Sequence, residues 1–488
     1  MAGGKVKKGF TDYLVILFFL IIAAFLTIVV IMLFSPFKTI LGLQYFAYDY
    51  EEYHYNVINS NNVDVSTTNL DFSNIQEINV NCDYAQVQVM RFVKVDDISI
   101  RIQNWTKGFA TSGQDTSFDY DIYYKEGSNN RIINIDIHEP EGFVYFNKSV
   151  KIDILIPSVL NDEGDNGYAL ENTTLNVNST SGNIYIGSNA TVSRGESDIG
   201  LNSFNLKTLT GSIVVFPYIE ENLTNVFLKS ETGNIDIRSD VYISNSFQIN
   251  SSNSMIDLNS ITMPTDKVIT MNINNSKIFA DDITGNIDLT LRSGYIEFYN
   301  LNGSLISNNA VDQMDSANIR INKINEGNVS LPYANNSSIR INEVTSTSNG
   351  TKGQVYIHAT GGEIQLGSVD GESWIETTSG NVTMSTNSND ISIKTTTGKI
   401  NVTYNSSTID NELNFESTTG DINVNIKSNL AYYLEVYNTN NELRSTGSLF
   451  VEYYDKEFAN PMSVNNGTKH FTVISNASVS INLIKESA

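Results

Sequence analysis

Thr378-Ser379-Gly380-Asn381-Val382-Thr383-Met384, Thr397-Gly398-Lys399-Ile400-Asn401-Val402 and Thr419-Gly420-Asp421-Ile422-Asn423-Val424 follow one another with glycines 18 and 22 residues apart. In each unit Ser or Thr precedes the glycine, a polar residue follows it, and an aliphatic–polar–aliphatic triplet closes it. Period-two alternation puts both aliphatic side chains on one side of a strand and the middle residue on the other. The glycine is expected to take a positive φ that other residues resist. One unit cannot bury its apolar face alone. Stacked units bury a continuous core, each aliphatic pair above the last.

Upstream the unit recurs at Thr180-Ser181-Gly182, Thr210-Gly211, Thr232-Gly233, Thr284-Gly285, Ser293-Gly294 and Thr360-Gly361, and a weaker copy begins at Thr446-Gly447. Copies without glycine fill the gaps: Ser254-Met255-Ile256, Asn318-Ile319-Arg320-Ile321-Asn322 and Ser338-Ile339-Arg340-Ile341-Asn342. A period near twenty residues marks a solenoid. The expected fold is all-β: a single-stranded-type, parallel β-helix-like β-solenoid over 161–428, with an N-terminal transmembrane α-helix. A string of β-sandwiches is the rival architecture, but sandwiches do not need a glycine in every such unit. About a dozen coils rising ~4.8 Å each would form a rod on the order of 60 Å long. Both open ends need covering. The alternating strands of 74–160 are expected to cap one end. The section 429–488, with Tyr432, Tyr433, Phe450, Tyr453, Tyr454 and Phe471, is expected to cap the other.

The alternating section ending in Ile152-Asp153-Ile154-Leu155-Ile156-Pro157, followed by the train of Thr-Ser-Gly-Asn-Ile and Thr-Thr-Gly-Asp-Ile units, resembles the putative-adhesin domain family of bacterial and archaeal surface proteins. The likeness covers roughly 74–427. It implies a β-solenoid exposed at the cell envelope and brings no catalytic residues. The Asn-rich composition and the glycine-less coils depart from the family's pattern.

Leu14 to Phe34 carries no charge, and Thr27 is its one polar residue. About twenty apolar residues cross a bilayer as a helix, whose backbone groups pair internally. Lys5, Lys7 and Lys8 precede the run; Lys38 follows it, and then Asp49, Glu51 and Glu52. The positive-inside rule then puts the N-terminus in the cytoplasm and the bulk outside the cell. The expected layout is a cytoplasmic tail at 1–12, a transmembrane helix at 13–35 and a juxtamembrane linker at 36–73. A cleaved signal peptide is the alternative, but its apolar region is shorter, and Ser35-Pro36-Phe37 is a poor cleavage site. Tyr45, Phe46, Tyr48, Tyr50, Tyr53 and Tyr55 suit either headgroup anchoring or the first outer strands.

Acidic residues number 54 against 30 basic ones, a formal charge of −24. That balance argues against nucleic acid, whose phosphates need clustered Lys and Arg. Cys82 is the single cysteine, so neither an internal disulfide nor a cysteine zinc cluster forms. It reads as a small buried hydrophobe. His54, His138, His358 and His470 show no metal-ligand spacing, and no cofactor is expected.

Eighteen Asn-x-Ser/Thr sequons lie beyond the apolar run: Asn104, Asn147, Asn172, Asn178, Asn189, Asn222, Asn250, Asn274, Asn302, Asn328, Asn335, Asn336, Asn349, Asn381, Asn401, Asn405, Asn466 and Asn476. They read either as a glycan coat or as the product of an Asn-, Ser- and Thr-rich chain in which Asn serves the turns. Carboxylate pairs at Asp281-Asp282, Asp370 with Glu372 near Trp374, and Glu231 with Asp236 are what a glycoside-cleaving β-helix would need. All three fit ordinary solvent-facing positions. Arg320 and Arg340 occupy equivalent places twenty residues apart and should be neighbours on one outer face, either balancing acidic neighbours or contacting an acidic glycan or partner. The leading expectation is therefore a membrane-anchored, non-catalytic surface protein that meets glycans, proteins or further copies of itself. A carbohydrate-active enzyme and an envelope-stress or sensing accessory are the alternatives.

Overall fold

The computed structural model describes residues 9–34, 39–40, 43–56, 75–92, 98–111, 119–126, 131–138, 144–157, 159–160, 166–167, 172–187, 200–216, 222–308, 314–345, 353–388, 390–444 and 460–484. The side chains of Asn147, Asn222, His54 and His138 are not among those described. Asn189, Asn349, the Thr446-Gly447 copy, Phe450, Tyr453, Tyr454 and the Lys5, Lys7 and Lys8 cluster lie outside the described residues.

Each coil lays one strand on each of two faces. On the first face Thr174–Ser179, Ser203–Thr208 and Asn222–Ser230 pair in parallel and in register. On the second face Ile184–Ile186 and Ile213–Val215 do the same. Here Ile184 lies over Ile213 and Ile213 over Ile235. The 17-residue strand Ile235–Ser251 runs from the second face round to the first. It helps to join the pairings into one 35-stranded sheet. Inward residues alternate with outward ones in nearly every strand, as in Ile391–Thr395 and Ile400–Tyr404. The core is a continuous aliphatic column from Ile75 to Ile481. The parallel solenoid, not a string of sandwiches, is what these ladders form.

From Met255–Thr262 to Ser338–Val344 the second-face strands carry two successive outward residues before alternation resumes. Asp281 with Asp282 and Tyr299 with Asn300 are examples. The pair turns the strand through a shallow corner. Gly367 is the last such extra residue: a register shift falls between Leu366 and Ser368 where Glu363–Val369 meets Asn381–Thr386. The later strands run straight.

Three boundaries move. The parallel stack extends into the section expected as a cap: Ile75–Cys82 and Gln86–Phe92 pair in parallel with the coil after them, and with Arg131–His138 and Val144–Pro157 on their other side. Leu43–Asn56, inside the expected linker, is a strand antiparallel to Ser99–Thr111. Its aromatic residues favour a strand. Ser99–Thr111 and Asp119–Glu126 pair antiparallel to Val144–Pro157 and Arg131–His138, and so close this end of both faces. At the other end His470–Ser475 and Val479–Ile484 continue the parallel stack. Tyr432–Tyr437, held by the antiparallel Met462–Val464, lies beyond them on the first face.

The corner glycines fall into two groups: Gly285 and Gly294 have φ of 135°, the positive torsion expected, and the other described ones do not. At Gly182, Gly211, Gly233, Gly380, Gly398 and Gly420 φ is not positive. The constraint is close approach: a Cβ on Gly398 would stand 1.9 Å from the carbonyl oxygen of Gly380, and one on Gly420 1.9 Å from that of Gly398. Three residues before each glycine an inward Ser or Thr accepts the glycine N–H. Ser179, Thr208, Ser230, Thr377, Thr395 and Ser417 do so at 2.9 to 3.0 Å. Ser230 and Ser417 also donate to the carbonyl of the preceding coil's glycine, at 3.1 Å. Cys82 pairs with Ser179 in register and is buried and free of any disulfide. It occupies the first slot of this buried hydroxyl column.

A helix runs from Phe10 to Phe34, 25 residues. Its described side chains, Tyr13 to Ile28 and Val30, are almost all exposed. Among the described residues no helix is long and apolar enough to cross a membrane.

Candidate functional site

Register turns equivalent positions into rows along the outer faces. One first-face row holds Asn134, Asn79, Asn176 and Asn205 in adjacent strands. Asn205 donates to Asn176 at 3.0 Å, Asn176 to Asn79 at 2.8 Å, and Asn79 to Asn134 at 3.0 Å. Such amide ladders satisfy stacked polar side chains and are one reason for the abundance of Asn. Charged rows pair likewise: Lys394 with Glu416 at 3.2 Å, Lys399 with Asp421 at 3.1 Å, Lys323 with Glu343 at 3.2 Å.

The row through the middle residue of the Ile-x-Ile units breaks this habit. It reads Phe279, Glu297, Arg320, Arg340 and Gln365. Arg320 and Arg340 stand side by side, about 4.8 Å apart at the backbone, as their spacing predicted. Among the described residues neither makes an ion pair. Glu297, the row neighbour of Arg320, instead accepts the hydroxyl of Tyr295. Burial first, and this bond to Glu297 second, raise the Tyr295 phenol above its ordinary range. The Arg320 guanidinium lies over the Tyr295 ring, 5.5 Å from its centre. Tyr295 in turn packs on Phe279, with ring centres 5.6 Å apart. Arg340 donates from Nε to Asn342 Oδ1 at 3.3 Å. Phe279, Glu297, Arg320 and Arg340 line a shallow depression of about 380 Å³, together with Asp281, Tyr299, Asn322 and Asn342. The first residue of each outward pair, Asp281, Tyr299, Asn322 and Asn342, belongs to its lining. Tyr299 is 61% exposed.

The first face has its own aromatic feature. Tyr356 and Trp374 stack with ring centres 4.6 Å apart and planes within 7°, and His358 lies beside Glu376 at 3.4 Å.

The candidate carboxylates do not converge. Asp281 and Asp282 are the two outward residues of one bend. Glu231, on the corner, is bound by Ser252 and Lys229, which hold its carboxyl below the usual range. Asp236, on the second face, is bound by Arg238 at 2.6 Å. Asp370 donates nothing to Glu372; its Oδ1 accepts from Asn387 at 3.3 Å, while Glu372 accepts from Gln354 at 2.9 Å.

Of the sequons, Asn172, Asn178, Asn274, Asn328, Asn336, Asn381, Asn405, Asn466 and Asn476 are exposed, and Asn250, Asn302, Asn335 and Asn401 are half-buried. Asn104 is 3% exposed, which leaves no room for a sugar in the folded chain. Asn328 and Asn381 accept a backbone N–H of the next coil through Oδ1, at 2.8 and 2.9 Å. In Asn302, Asn336, Asn405 and Asn476 the Nδ2 that would carry a sugar donates a hydrogen bond. The hydroxyl column is the functional framework that the motif reading missed. Its signal was present as Ser/Thr three residues before each glycine, in Lys-Ser-Glu-Thr-Gly and Lys-Thr-Thr-Thr-Gly.

Among curated proteins no relative matches the chain. Solved structures similar to it include a putative cell adhesion protein from Clostridium sporogenes, at 7% identity over 90% of this chain and 100% of that one, with a TM-score of 0.15. A putative adhesin from Parabacteroides merdae has 11% identity over 73% and 95%, with a TM-score of 0.17. Scores this low carry no argument about fold or role. The Toastrack DUF4097 family model matches residues 75–300 and again 300–483, which takes in both faces of the stack, its glycine corners and the Arg320–Arg340 row, and the chain therefore belongs to the Toastrack DUF4097 family.

Proposed function

We propose that the protein is a membrane-anchored cell-surface protein whose solenoid has a non-catalytic, adhesion-type role. The support for the anchor is the sequence, in which Leu14 to Phe34 carries no charge; the lysine-bearing N-terminus is then inside the cell and the stack outside. The observation that carries the reading is the fixed spacing of the outer rows. Every outward side chain is held in register by a backbone ladder on each side, so the stack presents a rigid board of exposed groups. Tyr299, Arg320 and Arg340 are on one face, Tyr356 and Trp374 on the other. Sites built on such rigid elements suit binding, while Glu231, Asp236 and Asp370 are engaged by Lys229, Arg238 and Asn387. Among the described residues the exposed sequons whose Nδ2 makes no hydrogen bond, Asn172, Asn178, Asn274, Asn328, Asn381 and Asn466, are the places for sugars.

The test uses intact cells that display the full chain. External protease should remove the stack and, with it, attachment to a surface that those cells bind. A stack that resists protease until the cells are opened would overturn the location. Attachment that persists after its removal would overturn the adhesive role.

A further inference from the structure

We propose that the depression around Arg320 and Arg340 binds an acidic glycan, a chain of carboxylate-bearing sugars; this rests on the surface-adhesion reading and names its ligand. Three observations lead there. First, the two guanidinium groups are adjacent and make no ion pair among the described residues, whereas Lys323, Lys394 and Lys399 each pair with a carboxylate. In a chain of charge −24 this is unusual, and Glu297, the row neighbour of Arg320, accepts the Tyr295 hydroxyl instead. Guanidinium forks match carboxylates and bind them with charge-assisted hydrogen bonds. Second, the rest of the lining is not that of a general polyanion site. Glu297 and Asp281 stand at one end of the depression. They repel a chain charged at every unit from phosphates, yet accept hydrogen bonds from sugar hydroxyls. Asn322 and Asn342 supply amides, with Asn342 donating to Asn322 at 3.1 Å. Third, Tyr299 and Phe279 give the depression aromatic surface on which the C–H face of a sugar ring can lie. The bend that distinguishes coils 255–344 from the straight coils after Gly367 places Tyr299, Asn322 and Asn342 in the lining of the depression. The ligand chain would run along the stack axis, crossing the coils that carry Arg320 and Arg340.

The experiment measures binding of the full chain in detergent micelles to three probes of matched length: oligogalacturonate, neutral oligogalactan and polyglutamate. Oligogalacturonate should bind best, and more weakly as salt rises. The Arg320→Gln, Arg340→Gln double variant should lose about tenfold or more in affinity, and Tyr299→Ala should lose severalfold. Both arginines and Tyr299 are exposed, so an unchanged β-sheet dichroism spectrum and melting point keep the result about binding. Equal binding of polyglutamate would replace the glycan with a generic anion and overturn the proposal. So would equal binding of the neutral chain, or a double variant that binds as the parent does. Cells that still attach through the double variant would sink this site while leaving the adhesive role standing.

Discussion

The glycine corner and the outer faces are built on the same coil spacing and respond to it in opposite ways. At the corner, backbone meets backbone: the carbonyl of each glycine occupies the space a Cβ of the next would need, and a buried hydroxyl satisfies the N–H. On the faces, side chains stand out from the sheet and stack on their equivalents with water alongside. The corner therefore tolerates almost nothing, and the faces tolerate almost anything that keeps the row solvated. The difference teaches where stability and where recognition reside. Coils are locked together at the corner, which leaves rows such as the one through Arg320 and Arg340 available for binding.

The comparison can be broken most severely at Gly398. Gly398→Ala puts a methyl into the Gly380 carbonyl oxygen at 1.9 Å, so the coils must separate. The expected cost is upward of about 3 kcal/mol. Lys399→Ala, one residue on, removes only an exposed ion pair and should stay within about 1 kcal/mol. Urea midpoints of the two variants check this, and comparable losses would mean that the corner is not special. A smaller effect is expected at Ser417→Ala. It strips the acceptor from Gly420 N–H and the donor to Gly398 oxygen, both buried, for about 1–3 kcal/mol. Ser417→Cys, which copies the Cys82 slot, should recover part of the loss in thermal melts. Equal melting of Ser417→Ala and the parent protein would refute the column.

The smallest effect belongs to the exposed acids. Burial first, then Glu372 and Glu412 in the flanking coils, raise the Asp390 carboxyl above its ordinary range. A raised carboxyl favours the protonated form in the folded chain. Its stabilising contribution is fully present below the unfolded carboxylate range and is lost as pH rises through the folded value. Asp390→Asn should therefore stabilise slightly at neutral pH, and the gain should vanish in acid. Chemical denaturation at pH 7 and pH 3 separates the two cases. A gain that is the same at both would show that charge is not the cause.

Much of the architecture was legible. Alternation identified Ile184, Ile213 and Ile235 as inward before any pairing was known, and their register confirms one column. The equivalence of Arg320 and Arg340 followed from their spacing alone. Leu43–Asn56 was harder, because an aromatic-rich run beside an apolar helix reads equally as a headgroup anchor. The ends were hardest. Whether Ile75–Cys82 joins the stack or caps it depends on its partner, and parallel and antiparallel strands share one alternation pattern.

By itself the sequence determined which residues face in, that short units repeat, and that a surplus of acid and amide faces out, because side-chain period is a local property of an extended chain. Only the tertiary structure decided that glycines such as Gly398 and Gly420 are required by a neighbouring coil's carbonyl, whereas Gly285 and Gly294 have the positive torsion expected. Only it decided, too, that a hydroxyl three residues earlier holds corners such as Gly398 and Gly420, and that among the described residues Arg320 and Arg340 make no ion pair. Each of these depends on what lies one coil away, a distance that is short in space and about twenty residues long in the chain.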